Sequence, residues 1–190
     1  MELLKQRIIS DGRILDGNIL KVDSFLNHQL DVELLSEIGK AFHEIYGGET
    51  ITKILTAESS GIAIAALAAQ YFKVPVIFAR KTQSVNLDPE TFQGSVYSYT
   101  KKTAYKIRVA KRFLQPEDRV LILDDFLANG EAIKGLNEIV EASGATLIGA
   151  GVVIEKSYQK GAGMLKEMGI PVKALVQIES MSDGEIKFSE

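Results

Sequence analysis

The chain has 190 residues, 46% hydrophobic and 25% charged, with a net charge of -3, a profile that suits one soluble globular domain and is too small for two full ones. The weakly acidic balance gives no general attraction to nucleic acid or to an anionic membrane. With no cysteine and only His28 and His43, disulfides, thiolate catalysis and cysteine-bound zinc are excluded and a metal held by the protein is not expected.

Residues 2–10 place Leu3, Leu4 and Ile8 on a short amphipathic helix that Asp11-Gly12 closes. No basic segment with an apolar core opens the chain and no apolar run reaches the length of a membrane span, which leads to the expectation of a cytoplasmic protein. Residues 13–29 are irregular, with turn signals at Asp16-Gly17-Asn18, an apolar pair at Ile19 and Leu20, and the polar group Asn27-His28-Gln29; they predict a loop-rich flap. Asp31 then reads as an N-cap, followed by Leu34, Leu35, Ile38, Phe42 and Ile45 at helical spacing and by Gly47-Gly48 past the end. His43 falls on this helix at its boundary with solvent.

Residues 51–56 predict a short strand, and 57–61 (AESSG) a small-residue turn into an Ala-rich helix over 62–72. Pro75 precedes a buried-type strand at 76–79 that ends on Arg80 and Lys81, by itself the look of a solvated edge. Residues 82–102 are polar, contain Pro89 and Gly94, and carry Ser95, Tyr97, Ser98 and Tyr99 with the alternation of a hairpin whose partner is 104–110. A long polar segment inside a compact domain suits a lid.

The stretch 120–132 reads VLILDDFLANGEA. Its four leading apolar residues predict a strand covered on both faces and ending at Asp124, followed by a small-residue loop and a helix over 132–142. The first turn of a helix leaves N–H groups unpaired and carries the positive end of the dipole, so a tight loop there suits a phosphate. Asp124 and Asp125 can accept hydrogen bonds from paired hydroxyls, as on a ribose. A bare acidic pair before a glycine would read only as a solvated turn; the surrounding pattern is more demanding.

A strand at 146–154 follows, with Glu155-Lys156 at its tip, then a short helix at 160–168, a strand at 172–179, and a terminal hairpin turned by Asp183-Gly184 into 186–188. Strands alternating with helices imply an α/β domain, a central, mostly parallel sheet flanked by helices, with ligands beyond the carboxyl ends of its strands. Asp124, Arg80, residues 57–61 and Glu155-Lys156 all stand at such ends.

The run 120–132 resembles the phosphoribosyl pyrophosphate (PRPP) signature of the type I phosphoribosyltransferases: a hydrophobic strand, two acids, a two-residue apolar spacer and a small-residue phosphate loop. The resemblance extends over nearly all of the chain as a single domain, 1–190, with a small hood (mainly 1–30, with the C-terminal segment) and a flexible lid at 82–102. It implies that Ala128, Asn129, Gly130, Glu131 and Ala132 hold the phosphate, that Asp124 and Asp125 hold the ribose hydroxyls, and that Glu58, Ser59 and Ser60 meet the pyrophosphate through backbone and helix start. Arg80 and Lys81 are implied at the leaving group, and Mg2+ is implied as a passenger on PRPP, with no metal site of the protein's own.

Within the family the ESSG and DDFLANGEA segments are most similar to those of the bacterial members that act on xanthine in purine salvage. That implies XMP and pyrophosphate as products, a homodimer, and PRPP and xanthine as small-molecule partners. Lys156 matches the position that presents a donor to 6-oxopurines; Leu20, by an apolar or backbone contact, and Asn27, by a polar one, are implied at the other edge of the base. Simple packing is an equal reading of Leu20. Adenine or another purine as substrate, and a non-catalytic PRPP-sensing regulator, stay open as alternatives.

Three departures from the family pattern matter. Asn129-Gly130-Glu131-Ala132 replaces the frequent Thr-Gly-(Gly, Lys or Ser)-Thr; an Asn amide still donates to phosphate, and Glu131 fits if its side chain points to solvent. Ser60 stands where adenine members usually carry Arg, so the positive charge must come from elsewhere. Ala128 stands where hypoxanthine and guanine members have an Asp near purine N7, which leaves no evident general base; xanthine, more acidic than the other purines, can react without one.

Overall fold

The structure, a computed structural model, describes residues 1–15, 19–81, 88–99, 102–182 and 184–189. Helix α1 (Glu2–Asp11) is followed by the short antiparallel pair β1 (Arg13–Leu15) and β2 (Ile19–Lys21), a π-helical turn Asp23–Asn27, and α2 (Val32–Tyr46). The expected turn at 16–18 lies outside the described residues. Strand β3 (Lys53–Ala57), α3 (Ser60–Phe72) and β4 (Val76–Ala79) come next, then β5 (Thr91–Ser98) and β6 (Thr103–Ala110). After a 3-10 turn, Lys111–Phe113, the chain continues through β7 (Arg119–Leu127), α4 (Glu131–Ser143), β8 (Thr146–Lys156), α5 (Gly161–Glu167), β9 (Val172–Ser182) and β10 (Glu185–Phe188).

The main sheet runs in the order β10-β9-β8-β7-β3-β4, parallel throughout except for β10, which returns antiparallel on β9. Its apolar runs are continuous because both faces are covered: Leu121 and Leu123 of β7 join one core with Ile38 and Phe42 of α2 and Ile64 of α3, while Val120 and Ile122 join another with Ile133, Leu136 and Val140 of α4. The N-cap role of Asp31 holds, its carboxylate accepting from the N–H of Leu34 at 3.1 Å.

The hood belongs to the first of these cores, where Leu4, Ile8, Leu20, Val22, Phe25 and Leu26 are all buried. Leu20 is therefore a packed side chain, and what it has left to offer a ligand is its backbone. The hairpin β5–β6 is registered from Thr91↔Ala110 to Ser98↔Thr103. It does not join the main sheet; it lies across α4, where Gly94 meets Gly135 so closely that a Cβ on Gly94 would sit 1.9 Å from the Gly135 carbonyl oxygen. Of the lid expected at 82–102, residues 82–87, 100 and 101 lie outside the described residues.

Candidate active site

β7 does not stop at the acids. Asp124 pairs with Val152, Phe126 with Ile154 and Leu127 with Glu155, so the strand runs three residues beyond the end that its apolar pattern predicts. The neighbouring β8 is longer still, and its ladder holds the acidic pair in extended backbone. Asp124 is buried, 6% exposed, and its Oδ1 accepts from the N–H of Asp125 at 2.9 Å. Asp125 is less covered; its Oδ1 accepts from the N–H of Phe126 at 2.9 Å and its Oδ2 from Nδ2 of Asn27 at 3.0 Å. Burial, and then the charge of Asp125, push the Asp124 carboxyl well above the usual carboxylate range, with the Lys81 ammonium offsetting part of the rise.

Beside Asp124 the end of β3 meets the start of α3. A Cβ on Gly61 would fall 1.9 Å from Oγ1 of Thr56 and 3.3 Å from Oδ1 of Asp124, so only a glycine allows the helix to begin this close to the acid. The Thr56 hydroxyl is buried here with no hydrogen-bond partner among the described residues. The loop residues Glu58 and Ser59 are joined by a cis peptide bond, and Ser60 opens α3.

Arg80 and Lys81 are brought to the same place. Oε1 of Glu58 accepts from the N–H of Lys81 at 2.6 Å, and Oε2 lies 3.9 Å from Nε of Arg80. Nζ of Lys81 stands 5.8 Å from the centre of the Tyr105 ring, a residue of β6, and the charge of Asp124 acts on that phenol, whose titration burial already raises. Arg80 itself is fixed by an isolated bridge to Arg108, each N–H donating to the other's carbonyl at 2.9 Å.

The loop at 128–130 is closed by backbone on both sides. Ala128 O accepts from the N–H of Gly161 at 3.0 Å and Gly130 O from that of Lys134 at 3.0 Å, which turns the carbonyls away and leaves the first-turn N–H groups of α4 without intrahelical partners. Gly130 sits at φ +80°, a left-handed conformation that favours glycine. A cavity of about 220 Å³ opens here, lined by Tyr97, Tyr99, Phe126 and residues 128–132 among others. A wider groove of about 530 Å³ runs along the β4 edge past Phe78, Arg108 and Phe113, and among the described residues it shares Arg80 with the acidic site.

The side chain of Glu131 does not meet the condition set for it in the motif, that it point to solvent. It is 16% exposed, with Oε2 3.4 Å from the N–H of Tyr97 and 3.9 Å from Nζ of Lys134. The hairpin lying on α4, invisible in the local pattern, supplies a donor that captures it.

Lys156 ends β8 half-buried, its Nζ 5.9 Å from the centre of the Phe126 ring, and burial lowers its pKa from the ordinary lysine value. Its neighbour Glu155 is buried, accepting from Oγ of Ser157 at 3.2 Å and Nε2 of Gln177 at 3.1 Å, which pins the strand tip. Phe126 was not foreseen as a site residue, being hidden in the two-residue spacer of the motif. The structure thus gathers Asp124, Asp125, Arg80, Lys81, Glu58, residues 128–132, Asn27 and Lys156 around Phe126 and the end of β7. Leu20 remains in the hood core behind Asn27's turn. Among the described residues no group of three His, Cys, Asp or Glu side chains could hold a metal ion, and no helix is long and apolar enough to cross a membrane.

Residues 23–172 match the phosphoribosyl transferase domain. The chain is 57% identical to the xanthine phosphoribosyltransferase of Laribacter hongkongensis over 99% of this chain and 100% of that protein, and 57% identical to the xanthine phosphoribosyltransferase of Ruminiclostridium cellulolyticum over 100% of both. Its fold is similar to that of adenine phosphoribosyltransferase from Rhodothermus marinus, with a TM-score of 0.75 and 25% identity, covering 93% of this chain and 97% of that one. The Saccharomyces cerevisiae adenine enzyme superposes with a TM-score of 0.74 at 22% identity, covering 92% of this chain and 99% of that one.

Proposed function

The chain belongs to the phosphoribosyl transferase domain family, and we propose that it transfers the 5-phosphoribosyl group of PRPP to xanthine, giving XMP and pyrophosphate in purine salvage. The observation that carries the choice of base is Lys156, a half-buried ammonium beside Phe126 at the end of the strand next to the acidic pair. An ammonium is a donor only, which suits the O6 carbonyl of xanthine, guanine or hypoxanthine and opposes the amino group of adenine.

In the reaction the bond from C1 of the ribose to pyrophosphate breaks, its electron pair leaving with the pyrophosphate, and N9 of the base, whose acidic ring proton passes to solvent, forms the new bond to C1. The positive charge that develops on the sugar calls for positioning and for exclusion of water more than for covalent chemistry by the protein. Backbone N–H groups at 129–132 anchor the 5-phosphate, Asp124 and Asp125 receive the ribose hydroxyls, and Arg80 and Lys81 meet the leaving charge. Glu58 lies against both residues, its Oε1 accepting from the backbone N–H of Lys81 and its Oε2 3.9 Å from Nε of Arg80. The Phe126 ring offers the purine a flat apolar face, and the Asn27 amide a donor for xanthine O2. Mg2+ enters with PRPP, bound by its diphosphate and hydroxyl oxygens. The same reading includes a cytoplasmic homodimer, for which exposed Phe78 and Phe113 supply aromatic surface.

Adenine is the rival base, because solved adenine phosphoribosyltransferases share the fold. Incubation of the protein with PRPP, Mg2+ and each purine in turn decides between them. XMP is expected to form fastest; AMP as the main nucleotide, or no nucleotide with any base, would overturn the reading.

A further inference from the structure

Glu131 breaks the family's phosphate-loop pattern, and its carboxylate is engaged by the hairpin, not by solvent. Two residues of β5 share this arrangement. Oε2 of Glu131 lies 3.4 Å from the N–H of Tyr97, and Oε2 of Glu138 accepts from the N–H of Ser95 at 2.8 Å. On α4 the two acids are two helical turns apart and so share a face, with Gly135 between them; on β5, alternate residues turn their N–H groups away from β6 and toward that face.

The glycines make the fit possible. A Cβ on Gly135 would come 2.9 Å from Ser95 O and 2.8 Å from Cγ2 of Val96, just as one on Gly94 would strike Gly135 O. Strand backbone thus lies directly on helix backbone, with one carboxylate on each side of the crossing. The edge of β5 would otherwise expose unpaired N–H groups. Tyr97 and Tyr99, edge-to-face with ring centres 5.0 Å apart, line the same cavity as residues 128–132.

We propose that Glu131 is a positioning residue, a strut whose carboxylate fixes β5 to the start of α4 so that Tyr97 and the phosphate loop are held as one unit, with Glu138 as the second strut. The proposal rests on the reading of 128–132 as a phosphate site. The Glu131 carboxylate, unlike the residue's backbone N–H, touches no substrate in this role. It acts through Tyr97, and its own charge, close to where a phosphate dianion arrives, is offset by the Tyr97 N–H and by Lys134. An amide oxygen could accept the same hydrogen bond, so Gln should serve where Ala does not.

Two measurements on the full chain test it: hydrogen exchange at single amides of the free protein, and titration with ribose 5-phosphate. Glu131→Ala should speed exchange at the Tyr97 amide, and Glu138→Ala at the Ser95 amide. Glu131→Ala should also weaken ribose 5-phosphate about three- to tenfold, the loss of one ordinary hydrogen bond, and Glu131→Gln should recover most of that loss. Unchanged exchange at Tyr97 would overturn the strut. Faster exchange with unchanged ribose 5-phosphate binding, or no recovery in the Gln variant, would overturn its positioning role. If the unaltered protein did not bind ribose 5-phosphate at all, the phosphate-site reading would fail and the positioning role with it, whereas the exchange result would still report on the contact by itself.

Discussion

Nδ2 of Asn27 donates to Oδ2 of Asp125 at 3.0 Å, a bond that joins residues 98 positions apart and ties the hood to the acidic pair. The carboxylate expected to receive a ribose hydroxyl and the amide expected to read the base are therefore in contact. Asn27→Ala removes both the tie and the donor. Leaving xanthine O2 without its partner costs roughly 1 to 3 kcal/mol, so kcat/KM for xanthine should fall about ten- to a hundredfold and that for hypoxanthine should fall less. An unchanged ratio between the two bases would remove Asn27 from base recognition.

The double variant Asp124→Asn, Asp125→Asn should fold and yet turn over at least about a hundredfold more slowly, because two charge-assisted hydrogen bonds to the sugar are weakened together. Asp124 is held above the usual carboxylate range by burial and by Asp125. A carboxyl whose folded pKa is raised detracts from stability once the pH exceeds its unfolded value, so removing its charge should not lower the melting temperature at neutral pH. Circular dichroism and a melting curve separate that result from simple unfolding; full activity in this variant would defeat the assignment of the pair.

Lys156 carries the pH dependence on the base side. Burial lowers its pKa, so the ammonium is present at low and neutral pH and is lost as pH rises through a value below that of an ordinary lysine. In kcat/KM for guanine or hypoxanthine, which stay neutral further into alkali than xanthine does, an alkaline limb should appear. Lys156→Arg should move that limb upward, and Lys156→Met should abolish it together with most activity on 6-oxopurines. A Met variant with full xanthine activity would place the base elsewhere.

Asp118, far from the site, is expected to contribute to acid stability. Burial raises its pKa, but the N–H of Gln115 at 2.8 Å, the Thr52 hydroxyl at 2.8 Å and the Lys53 ammonium at 3.1 Å outweigh it and the net shift is downward. A carboxylate lowered in the folded state stabilises fully above its unfolded pKa and loses that contribution as pH falls through the folded one. Asp118→Asn should therefore be less stable than the parent at pH 7, and urea titrations should show the gap closing below about pH 4. A gap that persisted unchanged at pH 2 would rule the charge out as its cause.

Much of the fold could be read from periodicity. The strand at 76–79 coincides with β4, the Asp31 cap is real, and the alternation of strands and helices yields the parallel sheet because the apolar runs require cover on both faces. That Asp124, Asp125 and residues 128–132 stand on a strand, the loop after it and a helix start could be read because that pattern is local. What escaped depends on distant partners. β7 is prolonged past Asp124 by β8, Glu131 is captured by a strand that begins forty positions earlier in the chain at Thr91, and Asn27 finds an acid that no window of sequence contains. Phe126 illustrates a different failure: as a spacer it needs only to be apolar, and its ring becomes a candidate face for the base when Lys156 comes to rest 5.9 Å from its centre.

The ladder between β7 and β8 also works as a ruler. Asp124 stands opposite Val152 and Leu127 opposite Glu155, so Lys156 lies four residues further along its strand than the rung of Asp124, and neighbouring strands lie about 4.8 Å apart whatever their side chains. On the proposed roles, the interval between the grip on the sugar and the grip on the base is written into main-chain hydrogen bonding, where side-chain replacement cannot easily alter it. One residue inserted in β8 ahead of Lys156 would turn that lysine to the opposite face of the sheet.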